Sequence, residues 1–157
     1  MSREYGNKSD LQNKILQGAN ILADNVASTL GPRGRNVLLQ EAGKAPFITK
    51  DGVTVAAFVE LEDPFENAGA QIIRQAAIET NNKAGDGTTT STVLARAILR
   101  EAQKHIASGA SPIELQRGID LATREATGLL REMATPVTSA DDIEHVATIS
   151  ANNDSSI

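Results

Sequence analysis

The sequence predicts a mainly α fold, a multi-helix bundle that carries one small β-hairpin element. Three observations predict it. Apolar residues recur at helical spacing along four long stretches and one short one. Aromatic residues make up only 3% of the chain, so the core is built from Ala, Ile, Leu and Val, with Gly69, Ala70, Ala76 and Ala77 small enough for close helix packing. Only residues 36–61 break the helical pattern, with short runs rich in β-branched and aromatic residues.

The first helix is expected from Ser9, a capping residue, with Asp10 favoured at its positive end. Leu11, Ile15, Leu16, Ala19, Leu22, Val26 and Leu30 form its stripe, and Gly31, Pro32 and Gly34 stop it. "NVLLQ", "FITKD" and "VTVAAFVEL" read as two or three strands in hairpins. "EAGKAP" and Asp51-Gly52 are the turns between them, and "ELEDPFE" is a solvated acidic loop. A second helix starts at Asn67, runs through Ile72, Ile73, Ala76, Ala77 and Thr80, and breaks at Gly85. The next begins between Thr88 and Ser91 and ends near Ser108. Ser111 then caps a helix with Pro112 in the permitted first position and Glu114 at capping-box spacing. That helix ends before Pro136, and "ADDIEHVATIS" forms a last short one.

Bulk properties exclude several functions. A net charge of −5 argues against a nucleic-acid binder, which needs a basic face. The absence of cysteine removes disulfides, thiolate zinc sites and cysteine nucleophiles. The polar start "MSREYGNKSD" has no secretory h-region, and no apolar run is long enough for a membrane span, so a cytoplasmic protein is expected. Neither a P-loop nor a dinucleotide-binding glycine fingerprint is present. His105 and His145 stand far apart, without cysteine partners, and read as surface or satisfied histidines.

Three stretches can carry chemistry. "GDGTTT", residues 85–90, puts glycines and hydroxyls at a helix start, where unpaired N–H groups favour an anion. Asp86 would repel a phosphate unless a divalent cation lies between them, and magnesium is commonly held by one carboxylate plus phosphates. The same residues also make an ordinary helix cap. "TLGPRGRN", residues 29–36, is a rigid bend whose Arg33 and Arg35 either meet phosphates or are solvated. In "TKDGVT", residues 49–54, Asp51 either polarises a water or approaches a metal, or simply belongs to an Asp-Gly hairpin turn.

Taken in order, "TLGPRGRNV", "TKDGVTVA", "ELEDPFENAGAQ", "AGDGTTTSTVLA", "RGID" and "TISANND" resemble the N-terminal part of the group I, GroEL-type chaperonins. "GDGTTT" and the "LGP" bend are shared with group II, whereas "GRNV", "ELEDPFEN" and "TISAN" are similar to group I. The resemblance spans essentially the whole chain. It implies the N-terminal half of an equatorial, ATP-binding domain, a helical bundle, over residues 1–135 and the start of an intermediate domain over 136–157, the C-terminal half of the equatorial domain not being within these residues.

The resemblance also implies a site for ATP with magnesium and potassium. Thr29, Leu30, Gly31 and Pro32 would line the nucleotide. Lys50 and Asp51 would face the γ-phosphate, Asp51 ordering the attacking water. Asp86 would hold magnesium, and Gly87, Thr88, Thr89 and Thr90 would donate to phosphate oxygens. Backbone oxygens of Thr29 and Lys50, with the Thr89 hydroxyl, would hold potassium. Ile149 and Ser150 would lie at the adenine and ribose edge. Partners would be other chaperonin subunits in a ring, with no nucleic acid and no membrane.

Family members are much longer. The apical domain that takes unfolded polypeptide and the co-chaperonin is not within these residues, nor is the main acid for hydrolysis. The chain is therefore expected to be the N-terminal ATP-binding segment of such a protein. One rival is a short chaperonin-like assembly module without complete ATPase activity. Another is an unrelated phosphate-binding enzyme, for which no complete site is found.

Overall fold

The computed structural model describes residues 8–151, with side chains from residue 10. The polar residues 1–7, the Ser9 side chain expected to cap the first helix, and the end of the "TISANND" motif (152–154) lie outside that description. In order the elements are α1 (Lys8–Ala27), β1 (Val37–Leu39), β2 (Phe47–Thr49), α2 (Gly52–Phe58), α3 (Pro64–Ala84), α4 (Thr88–Ala107), α5 (Pro112–Met133) and α6 (Ala140–Ser150). The mainly α expectation holds. Two compact units divide the chain, Met1–Glu101 and Ala102–Ile157.

In the first unit, α1 and α3 lie close together because glycine removes the side chain at each contact. A Cβ on Gly18 would sit 1.7 Å from the Glu66 carbonyl oxygen, and one on Gly69 would sit 1.9 Å from that of Ile15. Around this seam Ala19, Leu22, Ala23 and Val26 of α1 bury against Ala70, Ile73 and Ala77 of α3, with Val55 and Ala56 of α2 and Leu39 of β1 closing the core. Apolar burial of this kind drives the packing.

The hairpin is smaller than expected. β1 and β2 pair antiparallel, Val37 with Thr49 and Leu39 with Phe47, and the "EAGKAP" stretch joins them. The third candidate strand, "VTVAAF", is instead the helix α2. Asp51 is therefore not a hairpin-turn residue. It is the N-cap of α2, its carboxylate accepting from the N–H groups of Val53 (3.3 Å) and Thr54 (3.0 Å). Helical winding puts Val55 and Ala56 into the core together, which an alternating strand could not do.

Other boundaries moved for capping reasons. The acidic "ELEDPFE" run is only partly a loop, because Asp63 caps α3 and Pro64 occupies its first position. Lys8 already belongs to α1, so Ser9 lies within the helix, which ends at Ala27 rather than Leu30. Gly85 ends α3 in the left-handed conformation (φ 70°), as its position after the helical stripe predicts. Ser111 precedes α5 but its side chain forms no capping bond; the fixed φ of Pro112 already suits the first turn. The capping box belongs to α6 instead, where Ser139 and Asp142 each bond the other's backbone.

In the second unit, neither α5 nor α6 has a buried residue. Among the described residues no helix is long and apolar enough to cross a membrane.

Candidate functional site

Three separate stretches of the first unit meet at one junction. The first follows α1. Thr29 is nearly buried, and its hydroxyl donates to the Val26 carbonyl at 2.8 Å. The chain then folds back, with Gly31 at φ 73°, the Gly34 N–H bonded to the Gly31 carbonyl and the Arg35 N–H to that of Ser28. A Cβ on Gly34 would lie 2.1 Å from the Thr29 carbonyl oxygen, so the bend needs glycine there. Leu30, Gly31 and Pro32 are exposed on its outer side.

The second stretch is the start of α2. Lys50 is half-buried and forms no ion pair with the described residues. Asp51 is exposed, yet both its oxygens are engaged, Oδ2 also accepting from the Thr54 hydroxyl. Its charge is thus held at a fixed place by the helix it caps.

The third stretch is the start of α4. Gly87 (φ 82°) immediately precedes the helix, and the first ladder bond runs from the Ser91 N–H to the Gly87 carbonyl. The N–H groups of Thr88, Thr89 and Thr90 come before that bond and have no helical acceptor. Asp86 does not cap α4: one oxygen accepts from the neighbouring Gly87 N–H at 2.6 Å, and the other has no hydrogen-bond partner among the described residues. The Thr88 and Thr90 hydroxyls are likewise without a partner among them, whereas those of Ser91 and Thr92 bond the Thr88 carbonyl.

Contact between the stretches is direct. Thr29 Oγ1 and Thr89 Oγ1 lie 3.4 Å apart although sixty residues separate them. Gly52 packs between α1 and α4, where an added Cβ would lie 2.4 Å from Thr89 Oγ1, 3.4 Å from Thr88 Oγ1 and 3.3 Å from Val26 Cγ1. Thr29, Gly52, Thr88 and Thr89 thus form one cluster, with Asp51 and Asp86 adjoining it in sequence. Ile149 and Ser150 close α6 in the second unit, whereas the members of this cluster belong to the first.

Two arginines bond the helices that form the junction. Arg96 of α4 pairs with Asp24 of α1, tying the helix that carries Thr89 to the helix that Thr29 follows. Arg74 of α3 donates through Nε to the Ala56 carbonyl at 2.8 Å and through Nη2 to the Val59 carbonyl, at the far end of α2. Sequence reasoning singled out neither arginine, nor Gly52 as a contact. No local pattern marks a bond between residues 15 to 72 positions apart, and Gly52 looks like half of a turn.

Chemically, unpaired N–H groups, hydroxyls and a free carboxylate oxygen suit an oxyanion accompanied by a hard cation. Among the described residues no three His, Asp or Glu side chains converge to hold a metal alone. An ion at Asp86 would therefore need oxygens from a ligand, which fits magnesium arriving with phosphates. Residues 22–157 match the model of the TCP-1/cpn60 chaperonin family.

Proposed function

The chain belongs to the TCP-1/cpn60 chaperonin family, proteins that act as chaperones and assemble with other subunits, and we propose that it is the N-terminal, ATP-binding part of a group I chaperonin. The carrying observation is the junction itself: "TLGP", "TKDG" and "GDGTTT" meet through Thr29, Gly52 and Thr89. The group I assignment is supported by "GRNV", "ELEDPFEN" and "TISAN". The parent protein would fold other proteins in an ATP-driven ring in the cytoplasm, its equatorial domain giving way to the intermediate domain near Pro136.

At the junction, the N–H groups and hydroxyls of residues 87–90 bind phosphate oxygens, and Thr29 to Pro32 line the nucleotide. Asp86 holds magnesium through its free oxygen, while the Thr29 and Lys50 backbone oxygens and the Thr89 hydroxyl hold potassium. Magnesium supplies charge stabilisation for a transfer that is mostly positioning. Lys50 neutralises the γ-phosphate side, and Asp51, fixed by its capping bonds, orients the attacking water. The resemblance to group I chaperonins would also assign Ile149 and Ser150 to the adenine and ribose edge.

Titration of the chain with ATP, with and without magnesium, tests this reading. Magnesium is expected to tighten binding, and Asp86→Ala to abolish that tightening. Equal magnesium dependence in Asp86→Ala would remove Asp86 from the metal.

A further inference from the structure

The helix α2 is seven residues long, too short to persist alone. Its first residue, Gly52, presses against Thr89, and its cap is Asp51. Its last carbonyls lie at its own C-terminal end, where helical partners are lacking and the dipole is negative. Arg74 meets that end with its planar fork, one nitrogen on the Ala56 carbonyl and another on that of Val59. Arg74 is half-buried on α3, next to Ile73 in the core, so its stem has little freedom.

We propose that Arg74 is a positioning residue for the junction: by holding the C-terminal end of α2 it fixes the Asp51–Gly52 end against Thr89. The two ends of so short a helix are about 10 Å apart and move as one body, at 1.5 Å rise per residue. With the guanidinium removed, two carbonyls lose their charged donor, the last turn frays, and the first turn loses its anchor. Arginine does this better than lysine because one rigid fork reaches two acceptors. The consequence for nucleotide rests on the reading of the junction as an ATP site; the effect on α2 does not.

The test uses the chain with Arg74→Met, which keeps an apolar stem, Arg74→Lys, and Ile73→Val as a control that destabilises the same region without removing a donor. Amide exchange at Val53, Thr54 and Val55 is read first. Arg74→Met is expected to speed it about tenfold beyond the control, the size expected for losing bonds to a charged donor, and Arg74→Lys to restore part of it. Affinity for magnesium-ATP is expected to fall by a similar factor in Arg74→Met and to stay unchanged in Ile73→Val. Exchange in Arg74→Met no faster than in Ile73→Val overturns the proposal. Faster exchange in a protein whose unsubstituted form binds no nucleotide upholds the positioning of α2 and overturns the ATP reading instead.

Discussion

Gly52 occupies a place where a methyl group has no room. Three groups from two other helices surround its missing Cβ, and the nearest is the Thr89 hydroxyl at 2.4 Å. Gly52→Ala is therefore expected to cost about 1–3 kcal/mol, the range for overpacking a filled site. In a Thr89→Ala background the hydroxyl is gone, and alanine's better helix propensity emerges, so the same substitution is expected to become neutral or slightly stabilising. Urea denaturation of the four proteins of this cycle decides it: an equal penalty in both backgrounds would show that Thr89 is not what excludes the methyl. Asp51 carries a related lesson. Its role in a tight turn and its role as a helix cap use the same dipeptide, and only the burial of Val55 and Ala56 three-dimensionally selects the cap.

At the scale of elements, α2 shows why part of the fold was hidden. "VTVAAFV" is rich in β-branched residues, whose local preference is for strands. Packing against α1 and α3 overrides that preference. The seam between those two helices was legible, since Gly69, Ala70, Ala76 and Ala77 announced a close approach, although Ala76 is only partly buried and Gly18 as the reciprocal of Gly69 was not singled out. At the other end of the seam Lys14 and Asp63 join α1 to the cap of α3 at 2.5 Å. The lysine's hydrogen bond, followed by the Glu66 N–H, holds the Asp63 carboxyl below its ordinary value, and the same bond raises Lys14. A lowered aspartate stabilises the fold above the ordinary pKa of about 3.9, and that contribution disappears as pH falls through the lower folded value. Lys14→Met is expected to flatten this acid limb of the urea midpoint, leaving only the capping share. The lysine contribution runs oppositely: it is complete below the ordinary lysine pKa and lost as pH rises through the raised one. An acid limb of undiminished steepness in Lys14→Met would mean that the capping N–H groups alone depress Asp63.

Across the whole molecule, the buried apolar residues among those described all lie between Ala19 and Ala77, within the first unit. Long helices with regular stripes were legible throughout because a 3.6-residue period is a local property. How much each stripe is covered was not, because burial depends on partners distant in sequence. The amphipathic α5 illustrates this: Leu121, Leu129, Leu130 and Met133 are all more than half exposed. A helix draws most of its stability from burying such a stripe, and helices left to intrinsic propensity open readily. Amides of α5 are thus expected to exchange within about tenfold of an unfolded peptide, while those of Leu22 and Ile73 require global unfolding. Trypsin should accordingly cut after Arg117, Arg124 and Arg131 before Arg74 or Arg96, the arginines held by bonds within the first unit. Since Thr29, Asp51, Gly52 and Asp86 to Thr90 all belong to that unit, the nicked protein is expected to keep the magnesium dependence of its ATP binding, weakened only by whatever Ile149 and Ser150 contribute. Slow exchange throughout α5, matching that of α1, would show instead that its stripe is covered in solution, and the difference in stability between the units would then not exist.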